Sequence, residues 1–184
     1  MKQLLFVTSN DHKVLTAKHV CKQFDISVTR HNLDLQEIQS ISGETIAKHK
    51  AHQAFDLLKQ PLVVTDDTWE IPGLNGFPGP YMKYVNQWFT PTDFLRLTKP
   101  LKDRRIILHQ IICYQDSSGQ KIFTHPVEGI LLAEARGVSS YPIFTIVSFD
   151  GGKHSSAEIN SAGYTAINNH YTAWHPLCEW LSRK

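Results

Sequence analysis

Two adjacent carboxylates, Asp66 and Asp67, follow the apolar, β-branched run Leu62-Val63-Val64-Thr65, and a Gly/Pro-rich loop begins within a few residues of them. Carboxylates placed where a buried strand meets solvent are natural hard-oxygen ligands for Mg²⁺ and natural proton acceptors. The loop Gly73-Leu74-Asn75-Gly76-Phe77-Pro78-Gly79-Pro80-Tyr81 mixes permissive glycines with φ-fixing prolines, so it is predicted to hold a special backbone path and to open a helix at Pro80 or Tyr81. An acidic strand end and an ordinary loop are the plain alternative for this segment taken alone. A second group, Thr8-Ser9-Asn10-Asp11-His12-Lys13, offers hydroxyls, an amide and a lysine beside the free N–H groups of a helix start, which suits a phosphate chain. It lacks the glycine frame and Gly-Lys-Ser/Thr ending of a Walker A loop, and a capped helix with a surface lysine explains such a stretch in most proteins. Glu37, within Leu35-Gln36-Glu37-Ile38-Gln39, is an isolated loop acid that by itself reads as solvated. His49 and His52 lie three apart on a helix without a third ligand, which favours a surface pair over a metal site.

The elements that must position these groups follow from apolar spacing. Leu4-Leu5-Phe6-Val7 is a short strand, and Val14, Leu15, Ala17, Val20 and Cys21 recur at helical spacing, predicting a helix over 11–24. Residues 26–31 form a second strand. Ser42-Gly43-Glu44 opens a helix whose stripe of Ile46, Ala47, Ala51, Ala54, Phe55 and Leu58 ends before Pro61, and the Asp66-Asp67 strand comes next. Thr90-Pro91-Thr92-Asp93 carries a capping pattern and starts a short helix to about Leu97. Residues 105–114 and 120–134 flank the turn cluster Asp116-Ser117-Ser118-Gly119 and predict an antiparallel hairpin. Residues 142–149 read as another strand, Ser155-Ser156-Ala157-Glu158 as the start of a short helix, and 166–180 as a terminal helix bent near Pro176.

Composition narrows the function classes. The 184 residues suffice for one domain, or two lobes sharing a sheet, with a sizeable core. The 19 basic and 17 acidic residues are interspersed, and a net charge of +2 argues against a surface for polymeric nucleic acid. Cys21, Cys113 and Cys178 have no CxxC spacing, so reduced cytosolic thiols are expected rather than a structural disulfide or zinc site. No segment approaches the ~18 apolar residues of a membrane span. A soluble cytoplasmic protein with no membrane partner is expected.

Taken together and in order, these segments resemble the inosine triphosphate pyrophosphatase family, which clears noncanonical purine nucleoside triphosphates. Its TxNxxK element stands as Thr8-Ser9-Asn10-Asp11-His12-Lys13, its leucine-x-glutamate loop as Leu35-Gln36-Glu37, its acid pair plus hydroxyl as Asp66-Asp67-Thr68, and its glycine-proline loop as Leu74-Asn75-Gly76-Phe77-Pro78-Gly79-Pro80-Tyr81. The resemblance covers nearly the whole chain. It implies an α/β fold: a mixed, elongated central β-sheet flanked by helices, one family domain over 1–184 with two lobes and the site in the cleft between them. It also implies hydrolysis of a nucleoside triphosphate to the monophosphate and pyrophosphate with Mg²⁺ and water. Glu37 and Asp67 would hold Mg²⁺, Asp67 would also polarise or deprotonate the water, and Asp66 would help set the local charge. Thr8, Ser9, Asn10, Lys13 and Lys83 would face the phosphates, with a solvated helix lysine the equal alternative for Lys83, and Thr68 would add a hydroxyl. Family members pair as dimers, and the apolar loop with the following helix offers a face for a homodimer.

Departures from the family pattern gather where the base is read. The family's aromatic-Gly-aromatic-Asp-Pro-x-Phe pattern stands as Val138-Ser139-Ser140-Tyr141-Pro142-Ile143-Phe144, its Ala-Glu-Met anchor as Ala157-Glu158-Ile159, and its Glu-Lys-Asn falls on Gly163-Tyr164-Thr165. Its Ser-His-Arg falls on Asn168-Asn169-His170, so the base-reading lysine, histidine and arginine are absent at the expected positions, and His170 could substitute only after a one-residue shift. The acid customary after Lys13 is Thr16. Loss of these cations removes charge-assisted contacts, while Tyr141, Tyr164, Tyr171 and Trp174 offer aromatic faces, of which Trp174 reads as core and Tyr164 stays open. The expected function is therefore a Mg²⁺-dependent nucleoside triphosphate pyrophosphohydrolase of altered base specificity. The alternatives are a non-catalytic nucleotide-binding or sensing protein that keeps the fold, and hydrolysis of a different phosphoanhydride.

Overall fold

The chain opens with three parallel strands and two crossover helices: β1 (Lys2–Val7), α1 (Asp11–Lys22), β2 (Ile26–His31), α2 (Gly43–Leu58) and β3 (Leu62–Glu70). The computed structural model describes residues 2–160 and 164–184. β1 pairs in parallel with β2 on one side and with β3 on the other. Because β1 lies between them, the chain leaves β1 in one direction and returns across it in the other. Right-handed crossovers then put α1 and α2 on opposite faces. Strand alternation matches this: Val63 packs with Val14, Ala17 and Val20 of α1, while Leu62 and Val64 pack with Ala47, Ala51 and Ala54 of α2.

Local chemistry sets the helix ends. Asn10 caps α1 by accepting from the Lys13 N–H at 3.1 Å, and Ser42 caps α2 by accepting from Thr45 N–H at 3.3 Å. Such caps satisfy donors that a helix leaves orphaned, each contributing roughly 1 kcal/mol. The rest of the chain forms β4 (Pro78–Gly79), α3 (Met82–Trp88), α4 (Pro91–Thr98), β5 (Arg105–Asp116), β6 (Gly119–Leu131), β7 (Val147–Ser148), α5 (Ser156–Ile159) and α6 (Trp174–Arg183). Strands follow the order β2-β1-β3-β5-β6-β7, with β4 antiparallel to β3. Only Ser117 and Ser118 separate β5 from β6, a link that permits antiparallel pairing alone. The expected mixed α/β sheet flanked by helices is the architecture observed.

Two compact units divide the chain. Residues 1–67, 110–125 and 171–184 form the first, and residues 68–109 and 126–170 the second. The first unit is built on the α1 and α2 cores. Trp174 of α6 is buried in the α1 core, its ring edge-on to Phe6 at 5.0 Å, an arrangement that adds about 1 kcal/mol to the area it buries. Cys21 and Cys178 meet there as thiols with sulfurs 3.4 Å apart. The second unit packs Ile71, Phe94, Ile106, Ile143 and Ile146, all fully buried, with Leu74 and Phe77 of the Gly/Pro loop against them. Gly76 at φ +90° and Gly79 at φ +61° confirm the special path expected of that loop, since a side chain is strained there. No helix among the described residues is long and apolar enough to cross a membrane.

Three expectations about elements are corrected. Asp66 and Asp67 lie inside β3, which continues to Glu70 because β4 supplies partners for Trp69 and Glu70; only the burial lapses at the acids. Residues 142–149 are not one strand: Pro142–Thr145 forms a 3₁₀ turn with proline at its start, leaving two residues for β7. The terminal helix begins at Trp174, so Pro176 sits in its first turn, where a missing N–H costs nothing, and no bend is needed.

Candidate active site

The acids inside β3 stand just past the carboxyl end of β1, near the point where the connections diverge, the usual ligand position in an open α/β sheet. Strand alternation sends the two acids of β3 to opposite faces. Asp67 meets Lys13 in the first turn of α1 at 3.3 Å. Asp66 turns toward α2, where the Lys50 ammonium lies 3.5 Å away.

Lys50 also reaches Glu37 at 2.8 Å and thereby joins the loop acid to the strand acid. Glu37 stands in the irregular connection between β2 and α2, which is anchored from both sides. Leu33 and Leu35 pack against the α2 core, and the Gln53 side chain accepts from the Gln36 N–H at 3.2 Å while donating to its carbonyl at 2.8 Å. Lys50 and Gln53 are three apart on α2 and so share a face.

The electrostatics single out Asp66. Its side chain is 14% exposed. Burial raises its pKa above the ordinary carboxylate value, opposed by Lys13 and Lys50 and reinforced by the like charges of Asp67 and Glu37. For Lys50, burial alone would lower the pKa, but attraction to Asp66 and the bond to Glu37 raise it above the ordinary lysine value. Five charged groups from α1, α2, β3 and one loop thus act on a single carboxylate neighbourhood.

That donor set fits Mg²⁺. A positive charge, the Lys50 ammonium, already lies between Glu37 and Asp66, and the ligands are all hard oxygens. No three His, Cys, Asp or Glu side chains converge into a cage among the described residues. Mg²⁺ takes one or two carboxylates and leaves its other positions to water and phosphate.

At the head of α1, Thr8 Oγ1 accepts from Asn10 N–H at 3.1 Å, and Asn10 Oδ1 is occupied as the helix cap. Ser9 is exposed. Thr16, which replaces the customary acid, is buried and donates to the His12 carbonyl at 3.2 Å. The first unit therefore brings together Thr8, Ser9, Asn10, Lys13, Glu37, Asp66 and Asp67.

The second unit carries Thr68, Lys83, Tyr141, Tyr164, Asn169 and His170. Lys83 is the second residue of α3, and its ammonium lies 5.9 Å from the Tyr84 ring centre. Tyr141 packs on Phe144 at 5.3 Å, Phe144 and Phe149 flank Trp69, and Phe149 meets His170 at 6.1 Å, so one run of rings connects Tyr141 to His170. Asn168 is buried with its Oδ1 accepting from Thr165, whereas Asn169 is exposed. Tyr164 is half-buried, and Gly163 lies outside the described residues. Val138 is 94% exposed. His49 bonds Gln53 and His52 pairs with Asp56, a local arrangement on α2 as expected of a surface pair.

Lys50 and Gln53 escaped the reading of the sequence. The available signal was a lysine three residues after Ala47 and four before Ala54, inside the apolar stripe of α2, where an ammonium must find counter-charge.

Comparison with known proteins identifies the family and the fold. A model of the Ham1 family matches residues 4–180. The chain is 31% identical over 179 residues to a dITP/XTP pyrophosphatase of Methanopyrus kandleri, covering 97% of this chain and 95% of that one. It is 29% identical over 186 residues to an inosine triphosphate pyrophosphatase of Schizosaccharomyces pombe, covering 98% and 96%. In fold it is similar to the Ham1 protein of Staphylococcus aureus, with a TM-score of 0.75 at 20% identity over 99% of both chains. The match over nearly the full length shows that the chain belongs to the Ham1 family.

Proposed function

We propose that this protein is a nucleoside triphosphate pyrophosphohydrolase, converting NTP and water to NMP and pyrophosphate, and that its substrate is a noncanonical or modified nucleotide. One observation carries the reading: Lys13 and Lys50 are held against Asp67, Asp66 and Glu37 where β3 runs past the carboxyl end of β1. Two ammonium groups suit a phosphate chain, and the carboxylates beside them suit water activation.

The resemblance pairs Glu37 with Asp67 as Mg²⁺ ligands, whereas the geometry pairs Glu37 with Asp66 around the Lys50 ammonium; Mg²⁺ held there would offset the negative charge of the phosphates. Asp67 orients the attacking water. Asp67 also accepts the proton that water loses, and Asp66, on the opposite face of β3, helps set the local charge. Lys13, Lys50 and the residues 8–10 at the head of α1 bind the phosphates, with Lys83 and Thr68 as further partners. Tyr141, Tyr164, Asn169 and His170 belong to base recognition, where rings replace the family's cations. The names of the relatives, dITP/XTP and inosine triphosphate pyrophosphatase, support a purine of this kind.

The proposal extends to a cytoplasmic homodimer paired through α3, on which Tyr84 and Trp88 stack at 6.1 Å and Trp88 is 72% exposed. Sedimentation equilibrium of wild type and Trp88→Glu checks the pairing. The competing reading is nucleotide binding without turnover, favoured by the missing lysine and arginine on the base side. Incubation with Mg²⁺ and ITP, XTP, dUTP or the standard NTPs, with pyrophosphate measured, separates the two. Release with at least one of them is expected. Measurable binding with no release from any would overturn the enzyme reading.

A further inference from the structure

Arg30 lies on β2, away from the acid cluster, and all three nitrogens of its guanidinium are engaged. Nε donates to the Thr8 carbonyl at 3.0 Å, one terminal nitrogen to the Ser9 carbonyl at 2.8 Å, and the other to the Asp11 carboxylate at 2.6 Å. Its acceptors are successive pieces of the turn that leads from β1 into α1. β2 runs beside that turn, since Thr8 N–H donates to the His31 carbonyl at 3.0 Å.

We propose that Arg30 is a positioning residue for phosphate binding, a role that rests on the function proposed above. Two effects follow from the contacts. In a trans peptide the N–H points opposite to its C=O. Drawing the Thr8 and Ser9 carbonyls onto Arg30 therefore turns the Ser9 and Asn10 amides the other way and fixes the turn from which Asn10 caps α1 and Lys13 projects to Asp67. The second effect is charge. Asp11 is the first residue of α1 and 83% exposed, so unpaired it would repel an arriving phosphate chain at the helix end that should attract one. Arg30 neutralises it. A lysine keeps the charge but, as a compact ammonium, cannot span three acceptors in the fixed fork of a guanidinium.

The test compares Arg30→Met, Arg30→Lys and Asp11→Asn with wild type by pyrophosphate release with ITP, thermal melting and calorimetric binding of a non-hydrolysable ITP analogue. Arg30→Met is expected to raise KM about tenfold, the scale on which misplacing a binding group acts, with kcat changed far less. Arg30→Lys is expected to recover less than half of that change on a logarithmic scale. Asp11→Asn should leave KM unchanged or lower, because the two carbonyl bonds persist while the repulsive charge goes. Wild-type KM in a folded Arg30→Met protein overturns the proposal, as does full rescue by Arg30→Lys. If Arg30→Met does not fold, wild-type KM in Arg30→Lys overturns it equally. A merely stabilising role would move the melting temperature and leave KM alone. Absence of turnover in wild type would refute the proposed reaction, and Arg30 would then be judged on analogue binding, where unchanged affinity in Arg30→Met refutes its role.

Discussion

Replacing Lys50 by methionine keeps the aliphatic stem on α2 and removes only the ammonium between Glu37 and Asp66. The loss is asymmetric. Asp66 stays buried beside two like charges, Asp67 and Glu37, and keeps Lys13 alone as an opposing cation. Breaking a fully buried ion pair by removing one partner costs about 3–5 kcal/mol; here Lys50 and Asp66 are 15% and 14% exposed but Glu37 is 35% exposed, so water relieves part of the deficit and about 2 kcal/mol is expected. For a chain of this length that lowers the melting temperature by about 4–8 °C. The sign with pH follows from linkage. The folded pKa of Asp66 lies above the ordinary carboxylate value of 3.8, so the stability tied to its proton is fully present below that value and is lost as pH rises through the folded pKa. Lys50→Met raises that folded pKa further, so its deficit should be largest near neutral pH and should shrink as the pH approaches 4. The assay is melting of wild type, Lys50→Met and Lys50→Met/Asp66→Asn at pH 7.5 and 5. The double variant should regain part of the loss at pH 7.5, because the stranded charge is gone. Wild-type stability of Lys50→Met at pH 7.5, or a deficit independent of pH, would refute the reasoning.

Asp67→Asn should abolish pyrophosphate release without lowering the melting temperature by more than a few degrees, because the side chain is partly exposed and the amide is isosteric; retained activity removes Asp67 from the reaction. Gly129→Ala should destabilise by about 1–3 kcal/mol, read from urea unfolding, since a Cβ there would lie 2.7 Å from the Ser148 carbonyl oxygen and 2.9 Å from the Phe149 ring. Lys184 and Ser118 hold the Asp116 carboxyl well below the usual carboxylate range. Its contribution is therefore present above the unfolded value of about 3.8 and lost as pH falls, so Asp116→Asn should flatten the acid limb of a stability–pH curve.

Much of the fold was legible because it is written in short-range patterns. The caps at Asn10, Ser42, Thr90 and Ser155 form as their side chains suggest, and the apolar periods of β1, α1, β2 and α2 give those elements within a residue or two. The misreadings arose where contacts other than apolar spacing decided the outcome. β3 runs past its acids because β4 pairs with it, and residues before Trp174 leave the helix they mimic: Thr165 bonds the buried Asn168, and Asn160 accepts from the Ala166 N–H.

The site divides along the same line. Residue types put vicinal carboxylates, a lysine at a helix start and a loop acid on offer, and only their order along the chain, through the family resemblance, joined them into one proposed site. Their mutual geometry came from tertiary structure. Two opposite crossovers put α1 and α2 on the two faces of β3, and a period of two sends Asp67 to Lys13 and Asp66 to Lys50. Lys50, Gln53 and Arg30 carry no motif. Each acts through a partner between 13 and 22 residues away, and such contacts exist only once the crossovers have closed. The sequence by itself determined the local elements and the chemical groups on offer, because propensity, capping and side-chain type act over a few residues. The tertiary structure decided which charges meet and how deeply they are buried, because pairing and desolvation depend on what the fold packs around them.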